Sequence, residues 1–128
     1  MVGLVIVSHS QKLAEGVVEV ARMMAEEVQI VAAGGMEDGE LGTSYDKIHD
    51  AIESVYSEDG VAVLADIGSS IMTAEIVLED MNRSNVRLVD CPLVEGAILA
   101  VVEARGGRDL EDLIEHVEGA RGAKKIMD

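Results

Sequence analysis

Apolar residues along this chain keep two alternating rhythms. Short apolar runs occupy residues 2–8, 28–33, 61–65 and 86–91. Between them lie longer segments in which apolar positions recur every three or four residues. The runs predict strands and the longer segments predict helices. The first run, Val2-Gly3-Leu4-Val5-Ile6-Val7, is apolar on both faces, as expected of a parallel strand covered by helices on each side. Residues 10–26 predict a helix with Leu13, Val17, Val20, Ala21 and Met24 on one stripe and Lys12, Glu15, Glu19, Arg22 and Glu26 largely outside it. Residues 34–42 hold four glycines and three acids and read as a loop. Tyr45, Ile48, Ile52 and Val55 set a second helical stripe, which Gly60 breaks. The third run ends at Asp66, and Gly68-Ser69-Ser70 opens a helix with Ala74, Val77, Leu78 and Met81 inward. Pro92 closes the fourth run and suits the first turn of a helix whose stripe is Val94, Ile98, Val101 and Val102. Gly106-Gly107 stops it, Asp109 is placed to cap a last helix through Leu110, Leu113, Ile114 and Val117, and residues 119–128 read as a tail, frayed or lying along a partner.

Strand and helix alternate throughout, with no repeat, linker or low-complexity segment. The expectation is one α/β domain over residues 1–128: a small doubly wound, mainly parallel sheet of four or more strands with helices on both faces. Aromatics make up only 2% of the chain, so its core is aliphatic. The formal charge of −15, from 25 acids against 10 bases, argues against nucleic acid or an anionic membrane as a partner. Such acidity suits an ordinary acidic soluble protein or, alternatively, a cytoplasm of high salt that screens the self-repulsion. A single cysteine, Cys91, precludes an internal disulfide, fits a reducing cytoplasm and reads as a small buried side chain. No apolar run approaches the roughly 18 residues of a membrane span, and the N-terminus lacks the basic segment of a leader. The methionines mostly fit core stripes.

The candidate chemistry starts at His9, in Val7-Ser8-His9-Ser10, between the first strand and the first helix. Parallel α/β sheets bind ligands at the carboxyl ends of their strands, and helix N-termini favour anions such as phosphate. A neutral imidazole is a nucleophile when its second nitrogen carries the proton, and a carboxylate on that Nδ1–H fixes this tautomer. Asp66 ends the third strand and can fill that role if the first and third strands are neighbours. Gly68, Ser69 and Ser70 then supply backbone N–H and hydroxyl donors for an arriving phosphoryl group, with Ser10 and Thr43 of Gly42-Thr43-Ser44 as further donors. Each element also has a structural reading: a strand-end histidine, an aspartate cap, a common helix start. Only their coincidence at strand carboxyl ends points to phosphoryl transfer. His49 and His116, among charged helical neighbours, read as surface residues. No phosphate-cradling G-x-x-x-x-G-K-[ST] or G-x-G-x-x-G motif is present, so neither ATP nor a dinucleotide is expected as a ligand. No zinc or calcium ligand pattern occurs, and no cofactor or metal is expected.

Four motifs kept in order, Val5-Ile6-Val7-Ser8-His9-Ser10 with Glu15-Gly16, Gly42-Thr43-Ser44, Asp66-Ile67-Gly68-Ser69-Ser70 and Pro92-Leu93-Val94-Glu95-Gly96-Ala97, carry a family resemblance. The chain resembles the phosphotransfer subunits of phosphoenolpyruvate-dependent dihydroxyacetone kinases, relatives of the mannose-family enzyme IIA domains of the phosphotransferase system. The resemblance implies a cytoplasmic homodimer in which the phosphocarrier protein HPr phosphorylates His9. His9 would pass the group to ADP on the nucleotide-binding kinase subunit, and the ATP formed would phosphorylate dihydroxyacetone on a third subunit. Some members carry further phosphocarrier domains after this one; this chain ends at Asp128, so separate donor proteins are expected. Two other readings stay open: an enzyme IIA component of a mannose-type sugar permease, and a non-catalytic module that senses phosphorylation.

Overall fold

The computed structural model describes residues 1–127, so the last tail residue, Asp128, lies outside it. The elements run β1 (Gly3–Ser8), α1 (Gln11–Arg22), β2 (Ile30–Gly34), α2 (Tyr45–Val55), β3 (Val61–Ala65), α3 (Gly68–Met81), β4 (Val86–Leu88), α4 (Leu93–Arg105) and α5 (Leu110–Glu118), closed by a 3₁₀ turn over Gly119–Gly122. All strand pairs are parallel, in the order β2-β1-β3-β4. This is the doubly wound α/β arrangement expected from the alternating runs. β1 explains why: its side chains alternate between two cores. Leu4 and Ile6 join Ala14, Val17, Ala21, Ala97, Val101 and Leu113 on one face, under α1, α4 and α5. Val5 and Val7 join Ile48, Ile52, Ala74 and Val77 on the other, under α2 and α3. A strand buried on both sides has to be apolar at every position.

The strand order reverses between β1 and β3. From β1 the chain crosses to β2 on one side; from β2 it returns past β1 to β3 on the other. Connections leaving β1 and β3 therefore part to opposite faces and open a crevice at their carboxyl ends. The ladder pairs Val7 with Ala65, so the next residues along, Ser8-His9 and Asp66, emerge side by side at that crevice.

Several boundaries differ from the periodicity reading. α1 ends at Arg22, not 26, and Leu13, Val20 and Met24 are exposed. The chain turns early because Ala25 and Val28 are needed in the core before β2 begins at Ile30; tertiary packing overrides local propensity. On α4 the buried residues are small, Gly96, Ala97, Ala100 and Ala104 with Val101, while Val94 and Val102 face outward. A helix can lie close to a sheet through an alanine face, which leaves its bulkier residues outside. β4 stops at Leu88. Cys91, beyond it, is only half-buried, though enough for burial to push its thiol up to about 12, with Asp90 and Glu118 adding to the effect. Most of the methionines are not core residues: Met23, Met24 and Met72 are exposed and Met36 is partly buried, while Met81 packs against the core under α2 and α3 as its stripe predicts. The tail folds back on its own chain, with Arg121 paired to Asp90 at 2.8 Å and Lys125 to Glu95 at 2.5 Å. Among the described residues, no helix is long and apolar enough to cross a membrane.

Candidate active site

His9 follows β1 directly and sits in the crevice with its side chain 27% exposed. Its main chain is held on both sides. The His9 N–H donates to Asp66 Oδ2 at 3.0 Å, and the His9 carbonyl accepts from Gly42 N–H at 2.9 Å. Gly42 has φ 144°, a left-handed conformation that lets the 35–43 loop press its backbone against His9. Gly34, at the end of β2, is needed for a similar reason: a Cβ there would lie 2.5 Å from the Ser10 carbonyl oxygen and 2.8 Å from Gln11 Cα.

Asp66 is the hub of the site. Oδ1 accepts from Ile67 N–H at 2.7 Å and faces His9 Nδ1 at 3.1 Å; Oδ2 accepts from Ser8 Oγ at 2.9 Å as well as from the His9 N–H. Its side chain is 12% exposed. Burial raises the carboxyl, but the two backbone N–H groups of His9 and Ile67 and the hydroxyls of Ser70 and Ser8 outweigh it and bring the group down to about 2. Asp66 is thus a firm anion at neutral pH, and a firm anion beside Nδ1 draws the imidazole proton to that nitrogen.

The two ring nitrogens meet different serines. Ser70 Oγ lies 2.9 Å from Nδ1, is wholly buried, and reaches Thr43 Oγ1 at 3.0 Å. Ser69 Oγ makes a close contact with Nε2, the nitrogen on the open side. Both serines start α3, which carries no side-chain cap because Ile67 occupies the N-cap. By contrast α1, α2 and α5 are capped by Ser10, Ser44 and Asp109. In the uncapped first turn of α3 the Ser70 N–H turns back to the Ile67 carbonyl at 2.9 Å, which leaves the N–H groups of Gly68 and Ser69 available to an anion. At Gly68 an added Cβ would find no atom within 4 Å, so the space before this turn is open.

The structure therefore brings His9, Asp66, Ser69, Ser70 and Thr43 together and sets Gly68 at the open side. Ser10 stands apart in function: its hydroxyl accepts from Leu13 N–H at 3.1 Å as the α1 cap. Ser70 and Thr43 lie on the Nδ1 side of the ring, away from the open Nε2. Sequence reasoning gave no role to Ser8, whose buried hydroxyl donates to Asp66 and accepts from Ser10 N–H at 3.0 Å. One polar residue ending an otherwise apolar strand was the available signal. His49, stacked on Tyr45 and paired with Asp50, and His116, facing Glu103 at 3.6 Å, are surface residues as expected. Among the described residues, no group of three or more His, Cys, Asp or Glu is placed to hold a metal ion. What remains is an imidazole whose Nδ1 is anchored to an anion and whose Nε2 faces an uncapped helix start. That geometry can attack an electrophilic phosphorus and hold the product at the helix mouth.

Comparison with known proteins gives the family of the chain. A family model described as EIIA-man, PTS system fructose IIA component, matches residues 3–114. The phosphoryl donor subunit DhaM of the PEP-dependent dihydroxyacetone kinase from Escherichia coli (strain K12) is 42% identical over 98% of this chain; the chain spans 28% of that relative's length. The corresponding subunit of dihydroxyacetone kinase 2 from Listeria innocua is 36% identical over 91% of this chain and 97% of its own length. A crystal structure of a protein of unknown function superposes with a TM-score of 0.84 at 30% identity, covering 99% of this chain and 100% of the other. The chain belongs to the EIIA-man family of phosphotransferase-system IIA components.

Proposed function

We propose that this chain is a phosphohistidine relay and the phosphotransferase subunit of a dihydroxyacetone kinase. His9 Nε2 attacks the phosphorus of phosphorylated HPr. The donor's imidazole leaves with the P–N electron pair, and the phosphoryl group now sits on His9. Asp66 stabilises the imidazolium character that develops on the ring, and Ser69 with the first-turn N–H groups of α3, including that of Gly68, receives the phosphoryl oxygens. In the second half of the cycle the ADP β-phosphate oxygen attacks the same phosphorus on the nucleotide-binding kinase subunit. His9 is freed, and the ATP formed serves the dihydroxyacetone-binding subunit. In this reading the chain needs no cofactor, works in the cytoplasm, and functions as a homodimer, for which exposed Ile71, Met72 and Ile76 on α3 beside the edge strand β4 provide apolar surface.

The observation that carries the reading is the split environment of the ring: an anion on Nδ1, an uncapped helix start on Nε2. The names of the relatives, kinase phosphoryl donor subunits in Escherichia coli and Listeria innocua, favour the kinase over a permease as the recipient. The test is a chase with radiolabelled phospho-HPr. Label is expected on the parent chain, to be absent from His9→Ala, and to move to dihydroxyacetone once ADP and both kinase subunits are added. Label retained by His9→Ala, or label that never leaves the chain, would overturn the proposal.

A further inference from the structure

Thr43 comes from the loop before α2, yet its hydroxyl reaches the centre of the site through one intermediary. Thr43 Oγ1 lies 3.0 Å from Ser70 Oγ, and Ser70 Oγ lies 2.9 Å from His9 Nδ1. Ser70 is wholly buried, so its single proton has to go to a protein acceptor. Three acceptors surround it: the Asp66 carboxylate, the Nδ1 lone pair and Thr43 Oγ1. They have different chemical consequences. A proton donated to Nδ1 requires that nitrogen to be bare and puts the imidazole proton on Nε2, which removes the nucleophile. A proton donated to Asp66 leaves Nδ1 free to keep its own hydrogen and Nε2 its lone pair.

Thr43 decides between these arrangements. When Thr43 Oγ1 accepts the Ser70 proton, that proton is turned away from the ring, and the lone pairs of Ser70 Oγ are left facing Nδ1, which keeps its own hydrogen. The hydrogen bonds then run one way, from Nδ1–H to Ser70 and from Ser70 to Thr43, and each polarises the next. The 35–43 loop is fixed for this purpose by the Gly42 N–H to His9 carbonyl bond and by a bridge pairing Gly35 with Thr43. We propose that Thr43 is a positioning residue that, acting through Ser70, holds the His9 proton on Nδ1 and so keeps the lone pair on Nε2. This inference rests on the relay reading. It moves Thr43 and Ser70 from the phosphate-binding role read from the sequence to control of the tautomer, and leaves Ser69 as the hydroxyl on the reacting side.

The test uses the full chain with ¹⁵N-labelled histidine, unphosphorylated and without partners. Long-range ¹H–¹⁵N spectra at neutral pH report which ring nitrogen carries hydrogen. The parent is expected to show a protonated Nδ1 and a bare Nε2. In Thr43→Val, of nearly the same shape, the Nε2 signal moves toward its protonated position; Thr43→Ser restores the parent pattern, and Ser70→Ala, which removes the competing donor to Nδ1, keeps the parent pattern alone and restores it when added to Thr43→Val. In transfer from phospho-HPr, Thr43→Val lowers kcat about tenfold with KM unchanged, the loss typical when an outer partner of a histidine is removed. A parent-like spectrum in Thr43→Val, no rescue by serine, or a Thr43→Val pattern that persists when Ser70→Ala is added overturns the proposal. Because the spectra need no phosphoryl donor, a parent chain that takes no label from HPr would sink the relay reading separately from this result.

Discussion

Replacing Asp66 by asparagine tests the site's energetics and its chemistry with one change. The carboxylate gathers donors from Ile67 N–H, His9 N–H, Ser8 Oγ and His9 Nδ1 at 2.7–3.1 Å, with the Ser70 hydroxyl beside them. An amide keeps the shape but turns one oxygen into a donor, which then faces other donors. The size follows from the carboxyl's depression from 3.8 to about 2. At 1.36 kcal/mol per pKa unit this is on the order of 2 kcal/mol of folding stability. The sign is set by the direction of the shift: a lowered carboxyl contributes fully above its unfolded value, and the contribution is lost as pH falls toward about 2. Asp66→Asn is therefore expected to melt about 7 °C below the parent at pH 7, using the entropy scale of a chain this long. The stability gap should fall to roughly half at pH 3, where the unfolded carboxyl is mostly protonated. The fold should persist, because the β1–β3 ladder and both cores are untouched. Phosphoryl transfer should slow by about 10²–10⁴-fold, the range seen when a histidine loses the anion that sets its tautomer. Thermal melts from pH 7 to pH 3 and rapid-quench labelling with phospho-HPr make the measurement. Equal melting temperatures at pH 7, a gap that does not narrow in acid, or an unchanged transfer rate would refute the argument.

Three further expectations concern glycine and charge. Gly68→Ala meets no atom within 4 Å, so stability should be unchanged or gain up to about 1 kcal/mol, while labelling of His9 slows; a rate equal to the parent's would show that the phosphoryl group does not come near this turn. Gly34→Ala forces a Cβ to 2.5 Å from the Ser10 carbonyl oxygen, and denaturant unfolding should register a loss of about 1–3 kcal/mol; no loss would mean that β2 and the start of α1 separate easily. With a formal charge of −15, the chain should melt several degrees higher in about 1 M KCl than in about 0.1 M, where the Debye length is near 10 Å; a flat response would remove self-repulsion as a factor.

The fold was legible because burial on both faces leaves little freedom of composition. Val61-Ala62-Val63-Leu64-Ala65 and the β1 run can be little else than inner parallel strands, and their ends mark the crevice. His9 and Asp66 were legible for the same reason: they are the first polar side chains after Ser8 and Ala65 in the two central strands. What sequence could not supply was direction. Nothing in Gly68-Ser69-Ser70 says that successive serines, turned about 100° apart on a helix, meet opposite nitrogens of one ring. Nor does Gly42-Thr43-Ser44 reveal that Thr43 points inward while Ser44 caps its own helix. Helical stripes misplaced Val94 and Val102 because periodicity assigns large apolar residues inward, whereas α4 meets the sheet through alanines. The three-residue length of β4 likewise depends on where Asp90 turns to meet Glu118, a contact 28 residues away in the chain.

A ring with its main chain fastened to Gly42 and Asp66 and only one nitrogen facing outward is a docking berth with room for a single vessel. On the proposed relay, loading and unloading happen at the same quay, so the donor must cast off before the recipient can moor. Neither visitor can linger without blocking the other, and throughput then depends on brief stays at both ends of the trip.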